Sequence, residues 1–146
     1  KDNFLDKTSI SSVIKINFEK FKKNSINLKI NLLSLNNEPI ILLKNEITYC
    51  LGNIIQNAIQ YASNLVTANV SWNKTEIIVE IRDDGLGFKS EIIDKIGKPY
   101  ISKKNTGMGL GIFIAKNLIE NIKGSISFKN SKDRGAVVEI KIKRVI

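Results

Sequence analysis

The chain has 146 residues, of which 42% are hydrophobic and 25% charged, and its formal net charge is +9. This length fits one domain with a sizeable core, and the composition argues against disorder. The sequence contains no histidine and a single cysteine, which excludes a histidine triad, a zinc site with histidine ligands, a phosphohistidine and an intrachain disulfide.

The positive charge indicates an anionic partner, such as a nucleotide, a nucleic acid or a membrane surface. The lysines are scattered through the chain, which disfavours general nucleic-acid binding. No apolar run approaches the ~18 residues of a membrane span, and no signal-peptide pattern opens the chain. Because the chain starts at Lys1, we expect it to be a soluble piece of a longer protein. The rest of that protein is a candidate location for a membrane anchor.

The first half of the chain combines helix-like and strand-like patterns. Leu28, Ile30 and Leu32 alternate with polar residues, which is typical of a half-buried strand. Cys50 lies among apolar residues of a predicted helix, so we interpret it as a small buried hydrophobe and not as a redox or metal residue. The patterns predict a helix capped by Ser9 or Ser11 and ending near Lys22, strands over 27–33 and 39–43, a helix over 45–62, and a hairpin of strands over 66–72 and 77–82.

The second half is interrupted by a long irregular stretch. Residues 88–105 contain a helical turn around 92–96 and otherwise lack a pattern, which indicates a lid or binding loop. A glycine-rich loop then leads into a helix to about Asn121, where Gly124 stops it. Strands over 125–128 and 136–142 close the chain. With three helices and about six strands, the sequence predicts an α/β (α+β) two-layer sandwich with a mixed sheet.

The segment from Thr106 to Lys116 contains glycines at three alternate positions, Gly107, Gly109 and Gly111. Glycines leave backbone N–H groups uncovered, and the helix that follows directs the positive end of its dipole to the same place. We interpret the segment as a phosphate cradle. The alternative is a mobile turn.

Two further motifs carry candidate chemistry. Asn53 and Asn57 lie four residues apart on one helix face, where an amide oxygen can coordinate Mg²⁺ together with waters and phosphate oxygens. The alternative is a polar, solvent-facing side of the helix. Asp83 ends a strand before Gly85 and Gly87, so its carboxylate can accept a hydrogen bond from an exocyclic amine while a planar ring lies against the glycines. The alternative is an ordinary Asp-Gly turn.

Taken in order and at these spacings, the motifs resemble the ATP-binding catalytic domain of sensor histidine kinases, which belong to the GHKL superfamily and share the Bergerat ATP-binding fold. By this resemblance, Asn53 and Asn57 are the catalytic pair, with Asn53 near the phosphates and Asn57 coordinating Mg²⁺, and Asp83 reads the adenine amino group. The resemblance implies further ATP contacts from the two glycine boxes and the lid: Gly85, Gly87, Tyr100, Lys103, Lys104, Thr106, Gly107, Met108, Gly109, Leu110 and Gly111.

Within the family, the lid segment 96–104 and the second glycine box are most similar to the redox-responsive RegB/PrrB branch. The chain departs from the common pattern at Gln60, where a basic residue is usual, and at Lys98, where glutamate is usual. A lysine of the lid would then replace the lost phosphate contact. Asn53 stands where hydrolytic members carry a glutamate base, and because an amide cannot accept a proton, this favours phosphotransfer over hydrolysis.

The resemblance implies a protein that binds MgATP and donates the γ-phosphate to a histidine on a separate dimerisation domain of the same kinase, in cis or in trans. It implies a downstream response regulator, a homodimeric full-length protein, a monomeric isolated domain and no nucleic-acid partner. Residues 1–146 would be one cytoplasmic domain from the C-terminal part of a kinase that is a candidate for inner-membrane anchoring. The alternatives are an anti-sigma type serine/threonine kinase, a chaperone-like ATPase, and a pseudokinase or interaction module.

Overall fold

The computed structural model describes residues 7–93 and 106–144, and of residues 91, 92 and 106–110 it describes the backbone only. Helices cover one face of a five-stranded sheet and share a single hydrophobic core with it. The elements are β1 (Lys7–Thr8), α1 (Ile10–Phe21), β2 (Asn27–Leu32), β3 (Ile41–Leu42), α2 (Asn45–Tyr61), β4 (Leu65–Trp72), β5 (Glu76–Asp83), α3 (Ser90–Ile93), α4 (Thr106–Asn121), β6 (Ser125–Asn130) and β7 (Ala136–Lys143).

The sheet has the order β2-β4-β5-β7-β6. Strand β2 runs parallel to β4, whereas the β4–β5, β5–β7 and β7–β6 pairs are antiparallel, so the sheet is mixed and mostly antiparallel, as predicted. The register pairs Val66 with Asp83 and Arg82 with Val137. The start of β4, the end of β5 and the start of β7 therefore lie side by side at one end of the sheet. Strands β1 and β3 form a separate antiparallel pair that the sequence did not predict beyond the strand near 39–43.

Helix α1 begins where two side chains occupy its first backbone N–H groups. Ser9 is the N-cap, and its Oγ accepts a hydrogen bond from the Ser12 N–H at 3.3 Å. Glu38, which lies in the loop before β3, accepts from both the N–H and the Oγ of Ser11, at 2.9 and 2.6 Å. The helix buries one apolar face, which includes Val13, Ile14 and Phe18.

Helix α2 lies between α1 and α4 and provides the centre of the core. Cys50 is fully buried, and burial raises the pKa of its thiol to about 12, which confirms the interpretation as a small hydrophobic residue. Beneath the helices, alternate residues of β4 and β5 point into the core. The buried face of α2 comprises Ile47, Cys50, Leu51, Ile54, Ile55, Ala58 and Ile59.

Three local predictions differ from the structure. Helix α4 begins at Thr106, so the predicted glycine loop has a helical backbone. A glycine costs about 1 kcal/mol in a helix but does not prevent one, and the buried residues that follow it anchor the helix. At the other end of α4, Lys123 and not Gly124 takes the left-handed conformation, with φ of 68°. Leu32, the last residue of β2, is 49% exposed, whereas Leu28 and Ile30 of the same strand pack against the core.

Among the described residues, no helix has both the length and the apolar character needed to cross a bilayer.

Candidate functional site

Asp83 is the last residue of β5 and stands at the centre of the candidate site. Its Oδ1 accepts hydrogen bonds from the backbone N–H of Gly85 at 2.9 Å and from that of Ala136 at 3.3 Å. Both bonds go to the same oxygen, so Oδ2 accepts no hydrogen bond from the part of the chain that the structure describes. The carboxylate is therefore fixed in orientation and keeps one oxygen for a donor from outside.

Burial raises the pKa of Asp83 above its ordinary value, and the neighbouring charge of Asp84 adds to this. The hydrogen bonds from Gly85 and Ala136 act in the opposite direction but do not outweigh the burial. A partly desolvated carboxylate of this kind gains more from an added hydrogen-bond donor than a hydrated one does. The electrostatics of Asp83 thus favour a ligand that brings an N–H group.

Asp84 has a different role, which the sequence did not indicate. Burial acts to raise the pKa of Asp84, but hydrogen bonds from the backbone N–H groups of Asn64, Leu65 and Ser63 outweigh it and lower the pKa. Its Oδ1 accepts from Ser63 at 2.8 Å and from Leu65 at 3.1 Å. Asp84 therefore ties the connection between α2 and β4 to the end of β5, and its side chain is occupied by this structural task.

The two glycines after Asp83 are required by packing. A Cβ on Gly85 would overlap the backbone carbonyl oxygen of Tyr61 at the end of α2. Gly87 has a φ of +85°, and a Cβ there would lie 2.7 Å from Oδ1 of Asn130. The loop from Asp83 to Gly87 is thus pressed between α2 and β6, which goes beyond what an ordinary Asp-Gly turn demands.

The β6–β7 hairpin holds this loop from the other side. Gly135 has a φ of +96° and lies so close to the backbone carbonyl of Asp83 that a Cβ would overlap it. Arg134 donates from Nε to the backbone oxygen of Asp84 at 2.8 Å. Asn130 accepts from the Phe88 N–H at 2.7 Å and donates from Nδ2 to the Phe88 oxygen at 2.9 Å. The two strands of this hairpin were predicted over 125–128 and 136–142, but the sequence carries no signal for these contacts.

A cavity opens between α2, the β5 end, the start of α4 and β7. The space between its walls is about 440 Å³ when the part open to solvent is included. Asn57, Asp83 and Gly87 are the predicted site residues that line it, and Tyr61 and Phe88 are lining residues that the sequence analysis did not select. A planar heterocycle suits such a slot because its faces need apolar walls and its edge needs one polar group. The remaining walls are apolar: Ile54, Ala58, Ile81, Ile112, Ala136 and Val138.

Asn57 projects from α2 towards this cavity, and its Nδ2 is buried with no hydrogen-bond partner among the residues that the structure describes. A buried amide group without a partner is costly, and a polar ligand in the cavity would supply one. The O and N ends of the carboxamide exchange by rotation about χ2, so Asn57 can present an oxygen there. Asn53 lies one helical turn earlier on α2, is half-buried, and is not among the residues that line the cavity.

The remaining predicted residues are not among the described residues that line the cavity. Gly111, which lies on α4 just before the lining residue Ile112, is half-buried. Gln60 is exposed on α2. The lid residues Lys98, Tyr100, Lys103 and Lys104 lie outside the described residues. Of the second glycine box, Thr106, Gly107, Met108, Gly109 and Leu110 have helical backbones in the first turns of α4.

The donor set fits a magnesium ion that is bound together with a phosphate-bearing ligand. Within residues 7–93 and 106–144, no group of three acidic, cysteine or histidine side chains forms a metal cage. Mg²⁺ in nucleotide sites is typically held by one or two protein oxygens, phosphate oxygens and waters. The carboxamide of Asn57, at the cavity that Asp83 lines, is a group of this kind.

Comparison with known protein families and curated sequences gives consistent matches. The family model for the histidine kinase-, DNA gyrase B- and HSP90-like ATPases matches residues 43–146. The sensor histidine kinase RegB of Cereibacter sphaeroides is 34% identical over 125 residues, which cover 70% of this chain and 27% of RegB. Sporulation kinase B of Bacillus subtilis is 31% identical over 111 residues, or 72% of this chain and 26% of the kinase. The chain thus spans about a quarter of the length of these relatives.

Solved structures show the same fold. The catalytic domain of histidine kinase ThkA superposes with a TM-score of 0.75 at 23% identity, covering 95% of this chain and 97% of that domain. The mycobacterial sensor histidine kinase MprB also gives a TM-score of 0.75, at 13% identity, covering 94% of this chain and 97% of the MprB chain. These similarities extend over all the layers described above and confirm the predicted two-layer Bergerat fold.

Proposed function

The chain belongs to the family of histidine kinase-, DNA gyrase B- and HSP90-like ATPases, and on this premise we propose that it binds MgATP and donates the γ-phosphate to a histidine on a separate dimerisation domain. The acceptor lies on another domain because this sequence has no histidine. A response regulator would then receive the phosphate, as part of a two-component signalling system. In this proposal the full-length kinase is a homodimer.

The observation that carries the proposal is the carboxylate of Asp83 in an apolar slot. Adenine offers an exocyclic amine as a donor and two flat faces for apolar contact. Oδ2 of Asp83 is the acceptor for that amine, because Oδ1 is already held by the N–H groups of Gly85 and Ala136. The apolar walls, including Ile54 and Ile81, would cover the ring. Guanine presents a carbonyl oxygen at the corresponding position, which would face the carboxylate and be repelled.

The phosphates would extend from the base towards Asn57 and the first turns of α4. Asn57 would supply an amide oxygen to Mg²⁺, and the ion would neutralise charge on the phosphate oxygens. The backbone N–H groups at Gly107 and Gly109, in the first turn of α4, and the side chains of Lys103 and Lys104 are proposed phosphate contacts. The N–H of Gly111 lies further along the helix and is not proposed as a donor. Tyr100 is proposed as an aromatic contact from the lid.

Transfer to a protein, in preference to hydrolysis, follows from the chemistry of α2. Asn53 occupies the motif position next to the phosphates, and an amide there cannot act as the general base that activates water. Asp83 is engaged with the base end of the proposed ligand and Asp84 with backbone N–H groups, so neither is available for that task. We therefore propose a kinase and not an ATPase.

Calorimetric titration with MgADP and with MgGDP tests the nucleotide site. We expect binding of ADP, weaker binding of GDP, and loss of this preference in Asp83→Asn. Asp133→Asn is a suitable control because Asp133 is exposed in the β6–β7 turn. Radiolabelled ATP with the full-length kinase then tests transfer, and the label should be acid-labile, as expected of phosphohistidine. Binding without transfer in the full-length kinase would indicate a nucleotide-holding interaction module, and absence of ADP binding would overturn the proposal.

A further inference from the structure

Asn130, the last residue of β6, makes two hydrogen bonds to the backbone of one residue. Its Oδ1 accepts from the Phe88 N–H at 2.7 Å, and its Nδ2 donates to the Phe88 carbonyl oxygen at 2.9 Å. The carboxamide thus pairs with Phe88 as a neighbouring strand would, although Phe88 belongs to a loop. With both backbone groups of Phe88 occupied, the loop is held at a fixed distance from β6.

Phe88 is a wall of the nucleotide cavity. It is 8% exposed, lines the cavity with Asp83, and packs edge-on against Phe128 of β6 with ring centroids 6.2 Å apart and an angle of 85° between the planes. The aromatic contact and the hydrogen bonds of Asn130 attach Phe88 to the same strand. A shift of Phe88 would change the width of the slot in which the base lies.

The same carboxamide also lies against Gly87. A Cβ at Gly87 would be 2.7 Å from Oδ1 of Asn130, so the loop backbone approaches this side chain as closely as a glycine allows. Asn130 therefore contacts two consecutive residues of the loop that begins at Asp83. Asn130 is exposed at the molecular surface, and its side chain is not part of the hydrophobic core.

We propose that Asn130 is a positioning residue that fixes the base-binding slot through Phe88 and Gly87 and, by holding the loop whose Gly85 N–H orients Asp83, keeps the Asp83 carboxylate aligned with the adenine amine. The inference rests on the proposed function, since it assigns a role within the proposed nucleotide site. Asn130 acts through the loop and contacts neither the base nor the phosphates in this proposal.

Two substitutions separate its contributions. Asn130→Ala removes both hydrogen bonds to Phe88, whereas Asn130→Asp keeps an acceptor for the Phe88 N–H and loses the donor to the Phe88 oxygen. We expect Asn130→Ala to weaken ADP binding by roughly tenfold, because ordering the loosened loop then costs binding free energy. GDP binding should change less, because guanine has no amine opposite Asp83 to lose, so the ratio of the GDP to the ADP dissociation constant falls. Asn130→Asp should lie between the parent and Asn130→Ala.

A matched control is available at the far end of the sheet. Asn73 organises the β4–β5 turn, where its Oδ1 accepts from the N–H groups of Thr75 and Glu76 at 2.9 and 3.0 Å. Like Asn130, it is an exposed asparagine that bonds to backbone groups of a loop. Asn73→Ala should lower the midpoint of thermal unfolding without changing either dissociation constant.

The role of Asn130 is tested by calorimetric titrations with MgADP and MgGDP, together with thermal melts without nucleotide. The four proteins compared are the parent, Asn130→Ala, Asn130→Asp and Asn73→Ala. A reduced ratio in Asn130→Ala with the parental ratio in Asn73→Ala would support the inference. Parental dissociation constants in both Asn130 variants would overturn it while leaving the proposed nucleotide site intact. If the parent itself does not bind ADP, the proposed function fails, and the inference fails with it.

Discussion

Gly135 lies directly against the backbone carbonyl of Asp83, in a position that no residue with a Cβ can occupy without overlap. The two residues belong to different hairpins, and their contact brings the β6–β7 turn onto the end of β5. The neighbouring N–H of Ala136 donates to Oδ1 of Asp83. The orientation of the candidate adenine-reading carboxylate is therefore set by a turn far away in the sequence.

Replacing Gly135 by alanine should destabilise the domain strongly. The new Cβ would overlap Asp83, and the φ of +96° is unfavourable for alanine. We expect the free energy of unfolding to fall by about 2–4 kcal/mol, measured by urea denaturation. Gly111→Ala is the control, because no described atom outside its own stretch of helix lies within 4 Å of the added Cβ and its backbone is helical. It should raise the free energy of unfolding by about 0.5–1 kcal/mol, and a loss there would contradict the helical start of α4.

The raised pKa of Asp83 predicts how Asp83→Asn changes stability with pH. The pKa of Asp83 is higher in the folded protein than in the unfolded chain. At low pH the carboxyl group is protonated in both states and does not affect the free energy of unfolding. As the pH rises past about 3.9 and through the folded pKa, the parent loses stability. Asparagine carries no charge and escapes this loss. Without nucleotide, Asp83→Asn should therefore become more stable relative to the parent as the pH rises from about 3.9, and the difference should level off above the folded pKa of Asp83. Urea denaturation at several pH values measures the difference, and a trend of opposite sign would exclude a desolvated carboxylate.

Asn57→Ala should separate metal-dependent binding from folding. Its buried Nδ2 has no partner in the described part of the chain, and alanine has the higher helix propensity, so the free energy of unfolding should stay the same or rise by about 0.5 kcal/mol. Removing Mg²⁺ with EDTA should weaken ATP binding by the parent, roughly tenfold or about 1.4 kcal/mol. The variant should bind equally with and without the ion. Gln56→Ala, an exposed carboxamide on the same helix, should keep the parental response to EDTA.

Cys50 should be unreactive in the folded domain. Burial raises the pKa of its thiol to about 12, so the reactive thiolate is absent near neutral pH, and no reagent reaches the side chain without unfolding. Labelling with a thiol-reactive dye should therefore follow the unfolding transition in urea. Rapid stoichiometric labelling in buffer alone would show that α2 opens locally.

The helices and strands whose buried residues recur at a regular spacing were predictable from the sequence. The bounds of α1, α2, β4 and β5 agree with the predictions to within one or two residues, because each element turns alternate or every third to fourth residue towards the core. The pairing of Lys7 and Thr8 with β3 was not predictable, since two residues carry no period. The left-handed conformation of Lys123 was missed because sequence signals favour glycine there.

The main residues of the candidate site were predictable from the sequence, but the contacts that hold them in place were not. Asp83 and Asn57 were selected from their spacing, and the structure places both at one cavity. The contacts of Asn130, Gly135 and Glu38 depend on residues distant in the sequence, and an asparagine or a glycine near a turn is common in any chain. Such long-range hydrogen bonds leave no pattern in one sequence, and only the folded chain reveals them.

The single tryptophan gives the domain an optical probe that is remote from the candidate site. Trp72 ends β4 and pairs with Ile77 near the start of β5, whereas Asp83 pairs with Val66 at the opposite end of the two strands. At about 3.3 Å per residue, the indole lies about 20 Å along the sheet from that carboxylate. Its emission should therefore change when the sheet unfolds and stay constant when a nucleotide is added to the native protein. A ligand would be detected through the unfolding midpoint, free of interference from quenching.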